Sequence, residues 1–445
     1  MTLSRSRILW PIPLLGAALA LFGCSTPEDS DADVAAAASA PSAAQIHAQV
    51  LVLDAHADIE LPAKPSRYAG ADGESRVSPA KLQAGGVDAV VMAIAVGPGP
   101  RDPAGVLTAR ARADAELAAV RALAGDPANN AVIARSPDDL EAAHDAGRTA
   151  LILGFQNARM LGTDVAGIDD FFAAGVRVFA LTHMGHNDFA DSSRPVYNGD
   201  TGGYEVEAEH GGLSPLGVAA IARINMLGGI VDVSQLSRDA TMQVLELSTA
   251  PVIASHSNVK ALTNVRRNLS DEEIDRIGAL GGVINVAGFG GYLFDSADAA
   301  LHEGIVAARR AAGLPDAYDY PYELYWEIED ETTQATYIGA IRDLIGPGDV
   351  EVMLDHIDYL VERIGVDHVG FGNDFNHGGG IKGFEDASGA RVLTDGLLKR
   401  GYDATDIASI WGGNFLRVWR AASAAASTGA SAGAATGIRA APHGG

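Results

Sequence analysis

Five polar groupings in this sequence carry residue types that could support metal-assisted hydrolysis. The first is His56-Ala57-Asp58. Residues i and i+2 of an extended segment face the same way, so one imidazole and one carboxylate can converge on a cation, and a cation so held lowers the pKa of a bound water. Taken alone, a His-x-Asp is more often a hydrogen-bonded pair. His183, His256 and Asp374 each come just after an apolar run. A lone histidine there is more often a satisfied structural residue, yet three such positions in register with His56 and Asp58 make a set. Arg266-Arg267 is either a solvated pair or a device for capturing a peptide terminus, since a guanidinium grips a carboxylate through two parallel hydrogen bonds. His186, Asp188, Asp191 and His377 fall in the loops just beyond and read as loop hydrogen-bonders.

These groups need a scaffold that brings strand ends together. Eight short apolar runs recur: Val50-Leu53, Ala89-Ala95, Ala150-Leu153, Val176-Leu181, Gly229-Val233, Val252-Ala254, Gly282-Val286 and Val369-Phe371. Unbroken apolar runs are what strands buried on both faces look like, and their alternation with helical patterns implies parallel crossovers. An α/β fold of the (β/α)8 TIM-barrel kind is the economical closure, with its site at the C-terminal strand ends. Polar residues do cluster there. Asp54, His56 and Asp58 follow the first run, Gln156 the third, His183 the fourth, Gln235 the fifth, His256 the sixth and Asp374 the eighth, while Asn285 lies in the seventh. The second run ends in Gly97-Pro98 without a candidate ligand. The connection between runs seven and eight, about Gly288 to His368, is far longer than an ordinary βα loop and holds two helical patterns, including Val350-Ile364. A lid or subunit contact is expected from this helical insertion.

The chain has 445 residues, 47% of them hydrophobic, which permits a substantial core. Its formal charge of -25 argues against nucleic-acid binding, which needs a basic face to displace counterions. Most of the acidic residues read as solvated surface. Arg5 and Arg7 precede an apolar run from Ile8 to Phe22, the layout of a secretory signal peptide, and the run is short for a membrane span. The single cysteine, Cys24, closes Leu21-Phe22-Gly23-Cys24, which resembles a bacterial lipobox with Phe22 an unusual residue at its position. Lipidation of Cys24 would tether the protein in the cell envelope, and Ser25 points to the outer membrane by analogy with bacterial sorting. The expected organisation is a signal peptide at 1–23, a Ser/Ala/Pro/Asp-rich disordered tether at 24–44, one folded unit at 45–421 and an Ala/Ser/Gly-rich disordered tail at 422–445. No later segment reads as transmembrane.

Six segments together resemble the membrane (renal-type) dipeptidase family, peptidase family M19. They are Leu53-Asp54-Ala55-His56-Ala57-Asp58, Ala180-Leu181-Thr182-His183, Gly212-Leu213-Ser214-Pro215-Leu216-Gly217, Pro251-Val252-Ile253-Ala254-Ser255-His256-Ser257, Arg266-Arg267-Asn268 and Val369-Gly370-Phe371-Gly372-Asn373-Asp374-Phe375. They occur in family order across most of the folded unit. The resemblance implies a barrel, usually dimeric, with two zinc ions bridged by a carboxylate and a hydroxide. It further implies that His56 and Asp58 are ligands of one metal and His256 of the other. Asp374 would be the carboxylate beside the nucleophilic water and a metal-site residue, His183 the group that steadies the oxyanion and contacts substrate, and Arg267 the grip on the substrate carboxylate.

Two positions break the family pattern. A bridging glutamate is replaced by Gln156 and a second-metal histidine by Gln235. Neutral amides are poor zinc ligands, so one zinc ion is expected and the second position is weak. The leading expectation is metal-dependent hydrolysis of a dipeptide or small peptide-like amide in the cell envelope, with the cation at His56, Asp58 and Asp374 and with His256 completing it, orienting water or binding substrate. Two alternatives use the same barrel: a periplasmic enzyme of peptide or siderophore maturation, and a non-catalytic lipid-tethered binding protein.

Overall fold

The computed structural model describes residues 41–436 except 62–65, 67, 199–202, 319–320, 322–327 and 329. The expectations for the signal peptide, for Cys24 and for most of the tether fall outside the described residues, as does the tail beyond 436. Order begins slightly before the boundary expected from composition. Ser42 and Gln45 form a reciprocal capping box on a short helix, Ala43–His47, whose Ala43 and Ile46 are buried.

Nine parallel strands form one sheet: β1 (Leu53–Asp58), β2 (Ala89–Ala95), β3 (Ala131–Ala134), β4 (Thr149–Gln156), β5 (Val176–Ala180), β6 (Ile230–Asp232), β7 (Ile253–Ala254), β8 (Val283–Val286) and β9 (Val369–Phe371). Eight of them follow the hydrogen-bonded order β1-β2-β4-β5-β6-β7-β8-β9, the eight-stranded parallel barrel expected from the apolar runs. The ninth, β3, pairs with the first half of β4, and β5 pairs with the second half. Its run, Ala131-Val132-Ile133-Ala134, is not among the eight identified in the sequence. The circle closes just past β9: the Asp58 amide donates to Phe375 O (2.9 Å) and the Asp374 amide to His56 O (3.1 Å).

The first strand corrects the sequence reading. Val50–Leu53 leads into β1 rather than forming it, and the strand itself contains Asp54, His56 and Asp58. Polar residues in the run looked like a strand end, but Asp54 and His56 are buried within the sheet and hydrogen-bonded there. The register of β1 against β2 shifts between Asp54 and Ala57. Such a bulge changes which residues face the interior. Leu53 and Ala55 cluster with alternate residues of the other strands and with Phe415, Val418 and Trp419, which plug the far end of the barrel. Beyond the shift, His56 and Asp58 occupy the open end.

Between β2 and β3 runs α1 (Pro103–Gly125), started by Asp102 capping the Gly105 amide and by Pro103 in its first turn. Among the described residues, three α-helices lie between β8 and β9: α2 (Ala299–Ala311), α3 (Glu331–Ile345) and α4 (Val350–Ile364). Only α4 belongs to the barrel wall, burying Met353, Leu354, Ile357 and Leu360 at helical spacing. Helices α2 and α3 pack on each other through Ile305, Tyr337 and Ile341, a small core of their own. The last helix, α5 (Asn414–Thr436), runs past residue 421, where the tail was expected to begin. Alanine has the highest intrinsic helix propensity, and Ala422 is buried against the barrel plug, so an Ala-rich segment that lacks hydrophobic periodicity still continues the helix. No helix among the described residues is long and apolar enough to cross a membrane.

One buried carboxylate outside the barrel mouth gives the fold a pH signature. Glu116 of α1 accepts the Ala95 amide at 2.8 Å and Arg112 Nε at 2.5 Å. Burial pushes its pKa up to about 8, with Arg112 offsetting part of the effect. The folded state therefore holds this proton more tightly than the unfolded chain. Its stabilising contribution is complete below pH about 4.5 and is lost as pH rises through about 8. Urea denaturation at pH 5 and pH 8 should show a smaller loss of stability in Glu116→Gln than in the wild type, the Glu116 share having a slope of at most about 1.4 kcal/mol per pH unit. Identical losses in the two proteins would contradict this assignment.

Candidate metal centre and active site

The strand ends bring residues from distant parts of the chain into one buried cluster. His56 Nε2 lies 3.4 Å from Asp58 Oδ1 and 3.9 Å from Asp374 Oδ1. The His56 and His256 rings stack with centroids 3.7 Å apart and planes 20° from parallel. One ligand atom from each of His56, His256 and Asp374 falls within 4.8 Å of the others, and all three residues are buried. His56 Nε2 and Asp58 Oδ1 are at ion-pair distance but have no hydrogen-bond partner, and Gln156 Oε1 likewise has none. Buried polar atoms left this way cost about 1–3 kcal/mol each unless a ligand satisfies them. An imidazole nitrogen and carboxylate oxygens are the donors that zinc accepts, so these residues fit a divalent cation.

Behind the cluster one hydroxyl orients both imidazoles. Ser255 Oγ donates to Asp232 Oδ2 at 2.5 Å, so its lone pairs face His256 Nδ1 at 2.7 Å and His56 Nδ1 at 3.4 Å. The His256 proton is thereby placed on Nδ1, and Nε2 keeps its lone pair. Asp232 is itself fixed by the Ser234 and Ser255 amides, both at 2.9 Å. Facing the His256 lone pair are the side-chain amides of Gln235 (3.3 Å) and Gln156 (3.5 Å). Oriented as N–H donors, these amides meet the lone pair directly, whereas a carboxylate and an imidazole lone pair would need a cation between them. Gln235 and Asp374 sit at φ 70° and 57°, conformations that side chains seldom adopt and that are retained where packing enforces them.

The electrostatics follow from burial and neighbours. Burial opposes charge on His56, but Asp58, Asp374 and Asp232 outweigh it and raise its pKa. Burial would raise Asp58, yet His377 and His56 hold it well below the usual carboxylate range. Burial raises Asp374, with His377 and His56 opposing. Burial pushes His256 well below the ordinary histidine value, helped by His56 and Arg267. Burial likewise takes His183 down to about 3, helped by His377. The carboxylates thus favour positive charge at His56 Nε2, the position where a cation would displace a proton.

Each sequence candidate has a definite place. His56, Asp58, His256 and Asp374 come together, and the tight group includes His256 while Asp58 sits at its edge. His183 donates through Nδ1 to Val96 O at 3.3 Å and meets the His377 ring edge-on at 4.7 Å. Arg267 is buried, with Nη2 on His256 O (2.7 Å) and Nη1 on Ser257 Oγ (3.0 Å), its guanidinium 5.1 Å from the Tyr292 ring centre. Its Nε has no partner. His186 and Asp191 organise their loop, as read from the sequence. Asn285 is structural, donating to Ala254 O. His377, read as a loop hydrogen-bonder, bonds the Asp58 carboxylate at 2.9 Å. Sequence reasoning missed Asp232 and Ser255. The signal for Asp232 was available: a charged residue inside the apolar run Gly229-Val233. A cavity of about 730 Å³ opens over the cluster, lined by His183, Gln235, Arg267 and His377 and by residues of the insertion.

Comparison with known proteins is consistent along most of the chain. The family model described as Membrane dipeptidase (Peptidase family M19) matches residues 41–432. Dipeptidase aclJ of Aspergillus oryzae is 30% identical over 276 residues, 62% of this chain and 52% of that protein. Dipeptidase tcpJ of Claviceps purpurea is 28% identical over 295 residues, 65% of this chain and 54% of its own. The chain thus spans about half the length of these curated relatives. Among solved structures, the probable dipeptidase PvdM from Pseudomonas aeruginosa superposes with a TM-score of 0.75 at 34% identity, covering 86% of this chain and 98% of that one. A metallo peptidase from Rhodobacter sphaeroides, solved with a phosphinate mimic of the dipeptide L-Ala-D-Ala, shares the fold at a TM-score of 0.58 and 21% identity, over 84% of this chain and 99% of its own.

The shared hydroxyl leads to a test. Removing it in Ser255→Ala leaves both Nδ1 atoms without their common partner and should weaken zinc affinity about 10- to 100-fold. Competition with a chromogenic chelator measures this, with circular dichroism as the check that the variant is folded. A folded variant whose affinity is unchanged would show that the rings keep their orientation without Ser255.

Proposed function

Because the chain belongs to the membrane dipeptidase family, peptidase family M19, we propose that it is a metal-dependent hydrolase of dipeptides or small peptide-like amides, working with one tightly held zinc ion in the cell envelope. The observation that carries this reading is the buried group of His56, His256 and Asp374, with unpartnered His56 Nε2 and Asp58 Oδ1 beside it. His56, Asp58 and Asp374 would hold the ion, with His256 beside it, its lone pair met by the amides of Gln156 and Gln235. When bound, it supplies activation of water and polarisation of the scissile carbonyl.

The chain's own groups account for the remaining chemistry. Asp374 takes the proton from the attacking water at its carboxylate and delivers it to the departing amine. Its burial raises the carboxyl pKa, which makes the carboxylate a better base than one in solvent. Arg267, on the cavity wall and held by His256 and Ser257, orients the substrate carboxylate through its guanidinium. His183 is neutral, and its bond to Val96 O keeps the ring proton on Nδ1. On the cavity wall beside His377, it contacts the substrate.

Gln156 and Gln235 support a single ion. Both amides can satisfy the His256 lone pair without a cation, and neither brings the negative charge that a second zinc ion requires. Purified protein should contain about one zinc per chain by elemental analysis, and the double variant Gln156→Glu/Gln235→His should rise toward two. Chelation should abolish hydrolysis across a dipeptide panel, and added zinc should restore it. A metal-free protein with no hydrolysis on any member would sink the reading.

The envelope location rests on Arg5, Arg7, the apolar run to Phe22 and Cys24. Cells fed a clickable palmitate analogue should label the wild-type protein and not Cys24→Ser, and the unlabelled variant should leave the membrane fraction. Equal labelling of both would rule out lipid attachment at Cys24.

A further inference from the structure

The charge of the cavity is opposite to that of the protein around it. Acidic residues outnumber basic ones 57 to 32 in the whole chain. The cavity wall, by contrast, includes Arg76, Arg194, Arg266, Arg267 and Arg342 against Glu205 and Glu207 among the carboxylates of the described residues. Of these two acids, only Glu207 is paired with a cation among the described residues. Glu205 accepts the His186 and Val196 amides, and Glu207 takes both oxygens to Arg266.

At least three of the guanidinium charges are not neutralised by a carboxylate. Arg267 bonds a backbone carbonyl and a hydroxyl. Arg76 spends its donors on the backbone oxygens of Tyr68 and Glu385. Arg342, exposed on α3 of the insertion, has no hydrogen bond or ion pair through its guanidinium among the described residues. A concave surface with an excess of one sign focuses potential and concentrates the opposite charge. A dipeptide of small residues brings one carboxylate, which Arg267 alone can meet.

The space allows more than that. At about 30 Å³ per water, a cavity of about 730 Å³ has room for roughly two dozen waters, and so for at least that many linked non-hydrogen atoms. Alanyl-alanine has about half that number.

We propose that this cavity selects a substrate with a second anionic group: a peptide-like amide bearing, besides the carboxylate met by Arg267, an acidic side chain or further carboxylate that Arg342 and Arg76 receive. Arg342 is then a specificity-determining residue supplied by the insertion, and its place on the exposed face of a helix lets it be changed without disturbing the barrel. The hydrolytic part of this inference rests on the reaction proposed above, whereas the charge selectivity stands in binding alone.

The test uses the full-length protein and matched pairs that differ only in charge: Asp-Ala against Asn-Ala, and Ala-Glu against Ala-Gln. In the wild type, kcat/KM for at least one acidic member should exceed that of its amide by about five- to tenfold, since the added contact is charge-assisted but solvent-facing. The ratio should shrink when salt is raised and fall to near one in Arg342→Gln. It should persist in Arg391→Gln, a surface control whose arginine pairs with Asp395 one turn along its own helix, outside the insertion. If no dipeptide is hydrolysed, the proposed reaction fails, and titration calorimetry with the same pairs reads the selectivity by itself. Equal values within both wild-type pairs, or a preference that survives Arg342→Gln, would overturn the assignment.

Discussion

A buried carboxylate, Asp54, ties the first strand of the barrel to the last and sets the geometry on which the centre depends. Its oxygens accept the Asn373 amide and side-chain nitrogen, each at 2.9 Å, and the His56 amide at 3.2 Å. Burial raises its pKa to about 6, against the pull of those same donors. With this seam closed, the backbone of β1 and the segment after β9 run side by side, and His56, Asp58 and Asp374 must project from adjacent positions. The register shift in β1 adds the other requirement by turning both His56 and Asp58 into the barrel mouth. Without the seam, Asp374 lies more than 300 positions along the chain from His56.

On the opposite wall the organising group is neutral. Ser255 passes the negative end of Asp232 to two imidazoles at once, and in doing so decides which nitrogen of His256 faces the centre. The amides of Gln156 and Gln235 then occupy the side of His256 where a second cation would otherwise be needed. A centre of this kind is asymmetric: charge is concentrated at His56, Asp58 and Asp374, and hydrogen bonding without charge prevails around His256. That asymmetry supports the proposed single ion, because neutral amides are poor zinc ligands.

The insertion between β8 and β9 gives the barrel mouth a second character. Its helices α2 and α3 carry their own small core, so they can form a wall without taking apolar residues from the barrel. From that wall Arg342 faces the same cavity as Arg267, which comes from the loop after β7. The acid-rich composition of the chain as a whole gives no sign of this, because the sign of a cavity depends on the few side chains that line it and not on the average over the surface.

Much was legible in one dimension. Apolar runs separated by helical patterns implied a parallel barrel, and polar residues just after them named His56, Asp58, His183, His256 and Asp374, because strand ends are the only places where such a barrel opens to ligands. Gln156 and Gln235 stood out for the same reason. What the sequence could not state was anything that depends on partners far along the chain. Strand β1 was misplaced because the hydrogen bonds that bury Asp54 come from residue 373. How far the last helix enters the Ala-rich tail was open in the sequence, because helix formation at 422 rests on contact with the barrel plug. Asp232 and Ser255 passed as strand residues until their hydroxyl and carboxylate were seen against two histidines, and Arg342 was one charge among many until the insertion placed it on the cavity wall. Residue type and local period determine which elements form and which groups are capable of chemistry. Which of those groups share a proton, a cation or a substrate is decided by closure of the barrel, since distances of 3 to 4 Å between residues hundreds of positions apart exist only in the folded chain.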